Sequence, residues 1–139
     1  MSYESTKAVN MIAGEDLRGD VFEALTIEND AGVAKVIKAS AATDVIIGVL
    51  GEEPRKDATT DGETVPVVLL EGRVMMKAAG AITAGQIIVP STTAGRVTAV
   101  ANTGALGVDQ MGVGIALESA VAGDIFEVLA MTIAAPHTA

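Results

Sequence analysis

Residues 19–25 read GDVFEAL, and residues 123–129 read GDIFEVL. Five of the seven positions are identical, and the other two exchange one apolar residue for another. In each copy a glycine and an aspartate, both common turn residues, precede a run with apolar side chains. The pattern predicts a turn that leads into a β-strand, and it predicts that the two strands occupy equivalent or adjacent positions.

The same strand signal continues outward along the chain. Short runs rich in valine and isoleucine recur about every ten residues and are bounded by turn residues, as in small barrels and sandwiches. The sequence therefore predicts an all-β fold, a single small β-barrel or β-sandwich of about nine short strands. The predicted strands are residues 21–28, 33–39, 45–51, 63–70, 73–78, 87–90, 97–101, 112–117 and 125–133.

Two longer segments can be overlaid as well, because an Ala-Gly turn leads to a glycine-containing strand in both. Similar offsets separate their glycines: 63 positions for Gly32 and Gly95, and 66 for Gly48 and Gly114. Outside these segments, Gly19 and Gly85 are also 66 positions apart. Two degenerate halves would explain these offsets, and so would independent reuse of turn chemistry in a small β-protein.

The chain ends differ from the strand-rich region. Residues 1–13 lack apolar alternation, and residues 134–139 combine small residues with a proline. A chain of 139 residues is the size of one domain. We therefore predict an N-terminal arm at 1–13, one all-β domain at 14–133 and a C-terminal tail at 134–139.

Composition argues against several classes of partner. Nine basic residues against eighteen acidic ones give a net charge of -9, which repels phosphate backbones and predicts no nucleic-acid binding. No apolar run approaches the roughly 20 residues that span a bilayer, so no membrane segment is expected. The N-terminus lacks the basic-then-apolar order of a secretory signal, which favours synthesis in a cytoplasm.

The sequence offers little for catalysis or metal binding. Its one histidine, His137, lies near the end of the predicted tail, and the chain contains no cysteine. No serine stands in a Gly-x-Ser-x-Gly elbow, and the glycine-rich stretches lack a nucleotide-binding motif. The carboxylates of residues 52–63 lack the spacing of a calcium loop. We therefore expect that the protein is not an enzyme and that it has no catalytic residue, no metal site and no cofactor.

Residues 74–78, VMMKA, suggest one alternative from a different class. Biotinyl and lipoyl carrier domains are small β-proteins that display a modified lysine at a hairpin tip. In this chain Lys77 would be that lysine, although Gly80 and Gly85 are better turn residues.

The order of features from Gly19 onward resembles the small capsid decoration, or cement, proteins of tailed bacteriophages. The resemblance covers most of the chain. Its carriers are AITAGQIIV at 81–89, AGRV at 94–97, GVGIALE at 112–118 and AVAGD at 120–124.

The resemblance implies a structural virion protein on the capsid exterior, without a catalytic site. Such a protein binds the mature phage capsid and stabilises it by bridging subunits of the major capsid protein. The resemblance and open strand edges also favour a homo-oligomer, either a dimer or a trimer. A phage tail or baseplate component is a second alternative.

Protein interfaces often depend on arginine and tyrosine. The candidate partner-binding residues are therefore Tyr3, Arg18, Arg55, Arg73 and Arg96. A further hypothesis is that residues 2–11 of the arm add a strand to a capsid or sister subunit.

Overall fold

The described residues, 7–52 and 64–134 of a computed structural model, form ten β-strands and one short 3₁₀ helix at Thr103–Ala105. There is no α-helix in these ranges, so none could cross a membrane. The strands are β1 (Ala8–Ile12), β2 (Ala24–Asp30), β3 (Val33–Lys38), β4 (Gly48–Leu50), β5 (Thr64–Leu69), β6 (Arg73–Lys77), β7 (Ile87–Pro90), β8 (Val97–Val100), β9 (Met111–Ala116) and β10 (Ile125–Ala134). The all-β prediction is confirmed.

The strands form two five-stranded antiparallel sheets with the same strand order. The first sheet runs β1-β5-β4-β2-β3, and the second runs β6-β10-β9-β7-β8. Adding five to each strand number of the first sheet gives the second. We call β1–β5 the first half and β6–β10 the second half. The structure is therefore a repeat of one five-stranded unit, packed as a sandwich.

Two of the three glycine pairs noted in the sequence are structural counterparts: Gly32 with Gly95, and Gly48 with Gly114. Gly32 and Gly95 occupy the β2–β3 and β7–β8 hairpins, both with positive φ. Gly85, however, corresponds to Phe22 and not to Gly19. Phe22 N–H donates to the Leu50 carbonyl and Gly85 N–H to the Ala116 carbonyl, both at 2.8 Å, and both residues have positive φ. The offset there is 63.

Each sheet curls without closing into a barrel. A single parallel bridge brings Ala13 to Val36 in the first half, and the same bridge brings Ala78 to Val97 in the second. Curling gives each half its own apolar interior. The buried residues of the first interior are Ala13, Leu17, Leu25, Val36, Leu50, Val65 and Val67, and the second is centred on Phe126 and Met76.

The two halves also share a core. Ala24, Ala39, Ile46 and Val49 belong to the first half, yet they are buried in the cluster that contains Phe126. Backbone hydrogen bonds join the halves as well, because Ala24 N–H donates to the Gly95 carbonyl at 2.7 Å and Gly95 N–H donates to the Ala39 carbonyl at 2.8 Å.

Part of the segment predicted as an N-terminal arm is a strand in the structure. Residues 8–12 form β1 and pair with β5 from Ala8–Val68 to Ile12–Thr64, and Ala13 is buried. This strand was missed because its exposed positions, Val9 and Asn10 among them, show no alternation. Residues 2–6 of the arm hypothesis lie outside the described residues, as do residues 135–139 of the predicted tail.

Candidate functional site

A partly buried ionic cluster lies where the two halves meet. Lys38, at the end of β3, approaches Asp20 at 3.3 Å between Nζ and Oδ2, and Glu15 at 4.0 Å between Nζ and Oε1. Lys77, at the end of β6, lies 3.7 Å from Glu23, measured from Nζ to Oε1. Because Glu23 precedes β2, this last pair joins the halves.

Glu23 is the buried member of this cluster, with 6% of its surface exposed. Among the described residues, no donor reaches its Oε2. The β7–β8 hairpin covers the carboxylate at Gly95, where an added Cβ would lie 2.6 Å from Oε2. A glycine is needed there both for this close approach and for its φ of 77°.

The environment of Glu23 disfavours its charge. Burial is the main cause of its raised pKa, and the neighbouring Asp20 adds to it, while Lys77 opposes it. Lys38 behaves differently: burial, the largest single effect, would lower its pKa, but the hydrogen bond and charge of Asp20, together with the charges of Glu15 and Glu23, outweigh burial and raise the pKa. The cluster therefore combines a cation that its neighbours stabilise with a carboxyl group whose charge is disfavoured by burial.

We predict that Glu23→Gln stabilises the protein at neutral pH. Because the pKa of Glu23 is raised by folding, the folded state keeps a proton that the unfolded state has released. The free energy of unfolding must then fall as pH rises from about 4.5, the ordinary pKa of glutamate, through the pKa of Glu23 in the folded state. Urea unfolding from pH 4 to 8 should show this fall in the wild type and a flatter profile in Glu23→Gln.

Asp16→Asn is the matched control, because folding lowers the pKa of Asp16 whereas it raises that of Glu23. Hydrogen bonds from Arg18 lower the pKa of Asp16 to about 2, so its contribution disappears only as pH falls from 3.8 towards that value. Above pH 4.5 this variant should keep the wild-type slope. A Glu23→Gln profile as steep as the wild type would contradict the role given to Glu23.

Two hollows lie in the described surface. One, of about 260 Å³, is lined by Phe22, Val49, Gly51, Val68, Arg73, Val74 and Met75, and Arg73 is its one titratable residue. The other, of about 380 Å³, is lined by small and polar residues that include Ser91, Thr93 and Gln110. Across residues 7–52 and 64–134, no three acidic or histidine side chains gather to bind a metal.

The candidate arginines lie on different elements. Arg18 pairs with Asp16 at 2.6 Å in the turn before β2, whereas Arg73 begins β6 and pairs with Glu127 of β10 at 3.3 Å. The side chain of Arg73 is 72% exposed. Arg96 is half-buried in the β7–β8 turn. Tyr3 and Arg55 lie outside the described residues.

Lys77 lies at the end of a strand and not at a hairpin tip. It pairs with Ile125 across β6 and β10, and only 20% of its side chain is exposed beside Glu23. A carrier lysine must reach the active sites of other enzymes, which this position does not favour.

The fold resembles that of a bacteriophage head-fiber base. The solved structure is the N base of head fiber gp8.5 of bacteriophage phi29, with a TM-score of 0.66. The match covers 91% of this chain and 94% of that chain at 13% sequence identity. No family model and no curated protein sequence matches the chain. The likeness at this identity is one of fold.

An apolar surface on the second half was missed by sequence reasoning. Ile125, Leu129 and Met131 of β10 are all exposed, and we call these three residues the β10 stripe. Their alternation with the buried Phe126 and Val128 could have indicated it, since positions two apart share one face of a strand. Exposed apolar residues gathered on one strand are suited to contact with another protein.

Proposed function

We propose that this chain is a non-enzymatic structural protein of a phage virion. The observation that carries the proposal is the fold likeness to the phi29 head-fiber base, which extends over 91% of the chain and includes both halves. The described hollows add support, because neither combines a nucleophile with a general base. In this proposal the protein binds at the exterior of the phage head.

More specifically, the protein decorates the mature capsid and bridges neighbouring subunits of the major capsid protein. A bridge that fits only the mature arrangement stabilises that arrangement by mass action. Many copies on one particle add their effects, so each contact can be weak. Two rigidly joined halves suit this role, because their shared core and backbone hydrogen bonds hold the halves in a fixed arrangement.

In this proposal the contact residues are the arginines and the tyrosine named as candidates from the sequence. Arg73 is the best placed of the described candidates, since its side chain is largely exposed and borders the hollow beside Met75. Arg18 and Arg96 are further candidates, as are Tyr3 and Arg55. With a net charge of -9 on the chain, exposed arginines would meet acidic groups on a capsid without general attraction to nucleic acid.

Co-sedimentation with phage heads tests the proposal. Purified protein is mixed with mature heads that lack it, and in parallel with empty immature shells, and the bound fraction is measured against concentration. We expect saturable binding to mature heads and weak binding to immature shells. Arg73→Ala should raise the half-saturation concentration about tenfold, which corresponds to about 1.4 kcal/mol.

Intact mass and particle position separate the alternatives. A protein of unmodified mass bound to heads supports the decoration role, whereas a biotin- or lipoyl-sized adduct on Lys77 without head binding would replace it with a carrier role. Binding to isolated tails instead of heads would identify a tail or baseplate component. Equal binding to mature and immature shells would contradict the bridging mechanism.

A further inference from the structure

The contact between the two halves buries a different surface from each. The first half contributes Val49, together with Val68 and Leu70, which pack against the same apolar cluster. The second half contributes Val74 of β6, which is only 3% exposed. Because the surfaces differ, the contact is heterologous: one side of the repeated unit meets another side of the next unit.

Each of these surfaces has a counterpart elsewhere on the chain. Val9 faces Val67 across β1 and β5 just as Val74 faces Val128 across β6 and β10, so Val9 is the counterpart of Val74. Val74 is buried in a cluster to which both halves contribute, whereas Val9 is 41% exposed. The first half therefore leaves open the position that the second half uses for the contact.

The second half leaves the complementary surface open. Gly48 lies against the carbonyl of Val68, and Gly114 lies in the same way against the carbonyl of Leu129, which makes Leu129 the counterpart of Val68. The same offset of 61 positions relates Leu70 to Met131. Leu129 is 37% exposed and Met131 is 43% exposed.

We propose that a second copy of this chain covers these surfaces. In this contact the β10 stripe of one copy packs against the β1 region around Val9 of the next, and so repeats the β5–β6 part of the contact that already joins the two halves. The loop that carries Leu106 covers Ile115, so the contact involves β10 and not the centre of the sheet. The interface is head to tail and forms a ring or a row of copies.

The internal contact is the reason to choose a second copy over an unrelated partner. In that contact the counterparts of the two open surfaces pack against each other, and every copy of the chain carries one open surface of each kind. The inference concerns the purified protein alone, so it does not depend on the proposed attachment to a phage head.

Mixing two interface variants tests the proposal. Val9→Glu removes the first surface and Leu129→Glu removes the second, and a buried carboxylate on either side disfavours the contact. Sedimentation velocity should show an oligomer for the wild type and a monomer of 14.0 kDa for each variant alone. An equimolar mixture should regain a dimer, because one intact surface of each kind remains in the pair.

Val121→Glu is the matched control, since Val121 is exposed on the β9–β10 connection, and this variant should keep the wild-type mass. Circular dichroism verifies folding, and Val9→Ser with Leu129→Ser replaces the pair if a glutamate variant unfolds. A monomeric wild type at every concentration would overturn the proposal. So would an oligomer of either variant alone, which indicates a symmetric contact, or a mixture that stays monomeric.

Discussion

Phe126→Ala is expected to lower the free energy of unfolding by about 3–5 kcal/mol. Phe126 is fully buried on β10, and its partner across the sheet is Met76, which is also fully buried. Removing the ring leaves a cavity that the surrounding strands cannot fill, because their hydrogen bonds fix the backbone positions. Equilibrium unfolding in urea, followed by circular dichroism, measures the loss.

Phe22→Ala is the matched comparison, because both phenylalanines occupy the same position in the repeated heptapeptide. Phe22 is only half-buried and borders the 260 Å³ hollow, so its replacement should cost about 1 kcal/mol. In the fold, the counterpart of Phe126 is Val65, which faces Met11 as Phe126 faces Met76. Equal losses in the two variants would contradict this assignment.

The repeated heptapeptide predicts its turn correctly and its place in the sheets wrongly. Asp20 N–H donates to the Leu17 carbonyl at 3.2 Å, and Asp124 N–H donates to the Val121 carbonyl at 3.0 Å, so the same turn precedes both segments. The chain then enters a second turn at Phe22, whereas a strand begins directly at Ile125. Residues 19–25 thus lead into β2 of the first sheet, and residues 123–129 lead into β10 of the second.

This difference has a physical cause. A turn depends on the conformational preferences of about four residues, so a short sequence can specify it. A place in a sheet depends on pairing with strands that are distant in the chain, and seven residues do not contain that information. The offset between Gly48 and Gly114 does indicate the structural repeat, because each of these glycines meets a neighbouring strand at close range.

The ionic cluster could not be predicted for the same reason. Glu23 and Glu127 occupy one position of the heptapeptide, yet Glu23 is buried beneath Gly95 while Glu127 pairs with the exposed Arg73. The burial of Glu23 is imposed by a hairpin from the other half. Its partner Lys77 is 54 positions away in sequence, and local patterns do not connect them.

Gly48→Ala and Gly114→Ala should each lower the free energy of unfolding by about 3 kcal/mol. An added Cβ at Gly48 would collide with the Val68 carbonyl and with Val67 Cγ1, and at Gly114 with the Leu129 carbonyl and Val128 Cγ1. The obstacle is backbone oxygen of a paired strand, which cannot rotate away as a side chain can. The collision can be relieved only if the two strands move apart, and this movement weakens the hydrogen bonds between them.

The equal contacts of these two glycines make the pair of variants a test of the structural repeat itself. Gly80→Ala is the control, because nothing lies within 4 Å of its added Cβ, and it should leave the unfolding midpoint nearly unchanged. If Gly48→Ala were tolerated while Gly114→Ala was not, the two halves would differ in how closely β4 and β9 approach their neighbours. Similar losses would mean that one steric requirement, a strand glycine opposite a carbonyl, shapes both sheets and thereby the two surfaces that the halves present to each other.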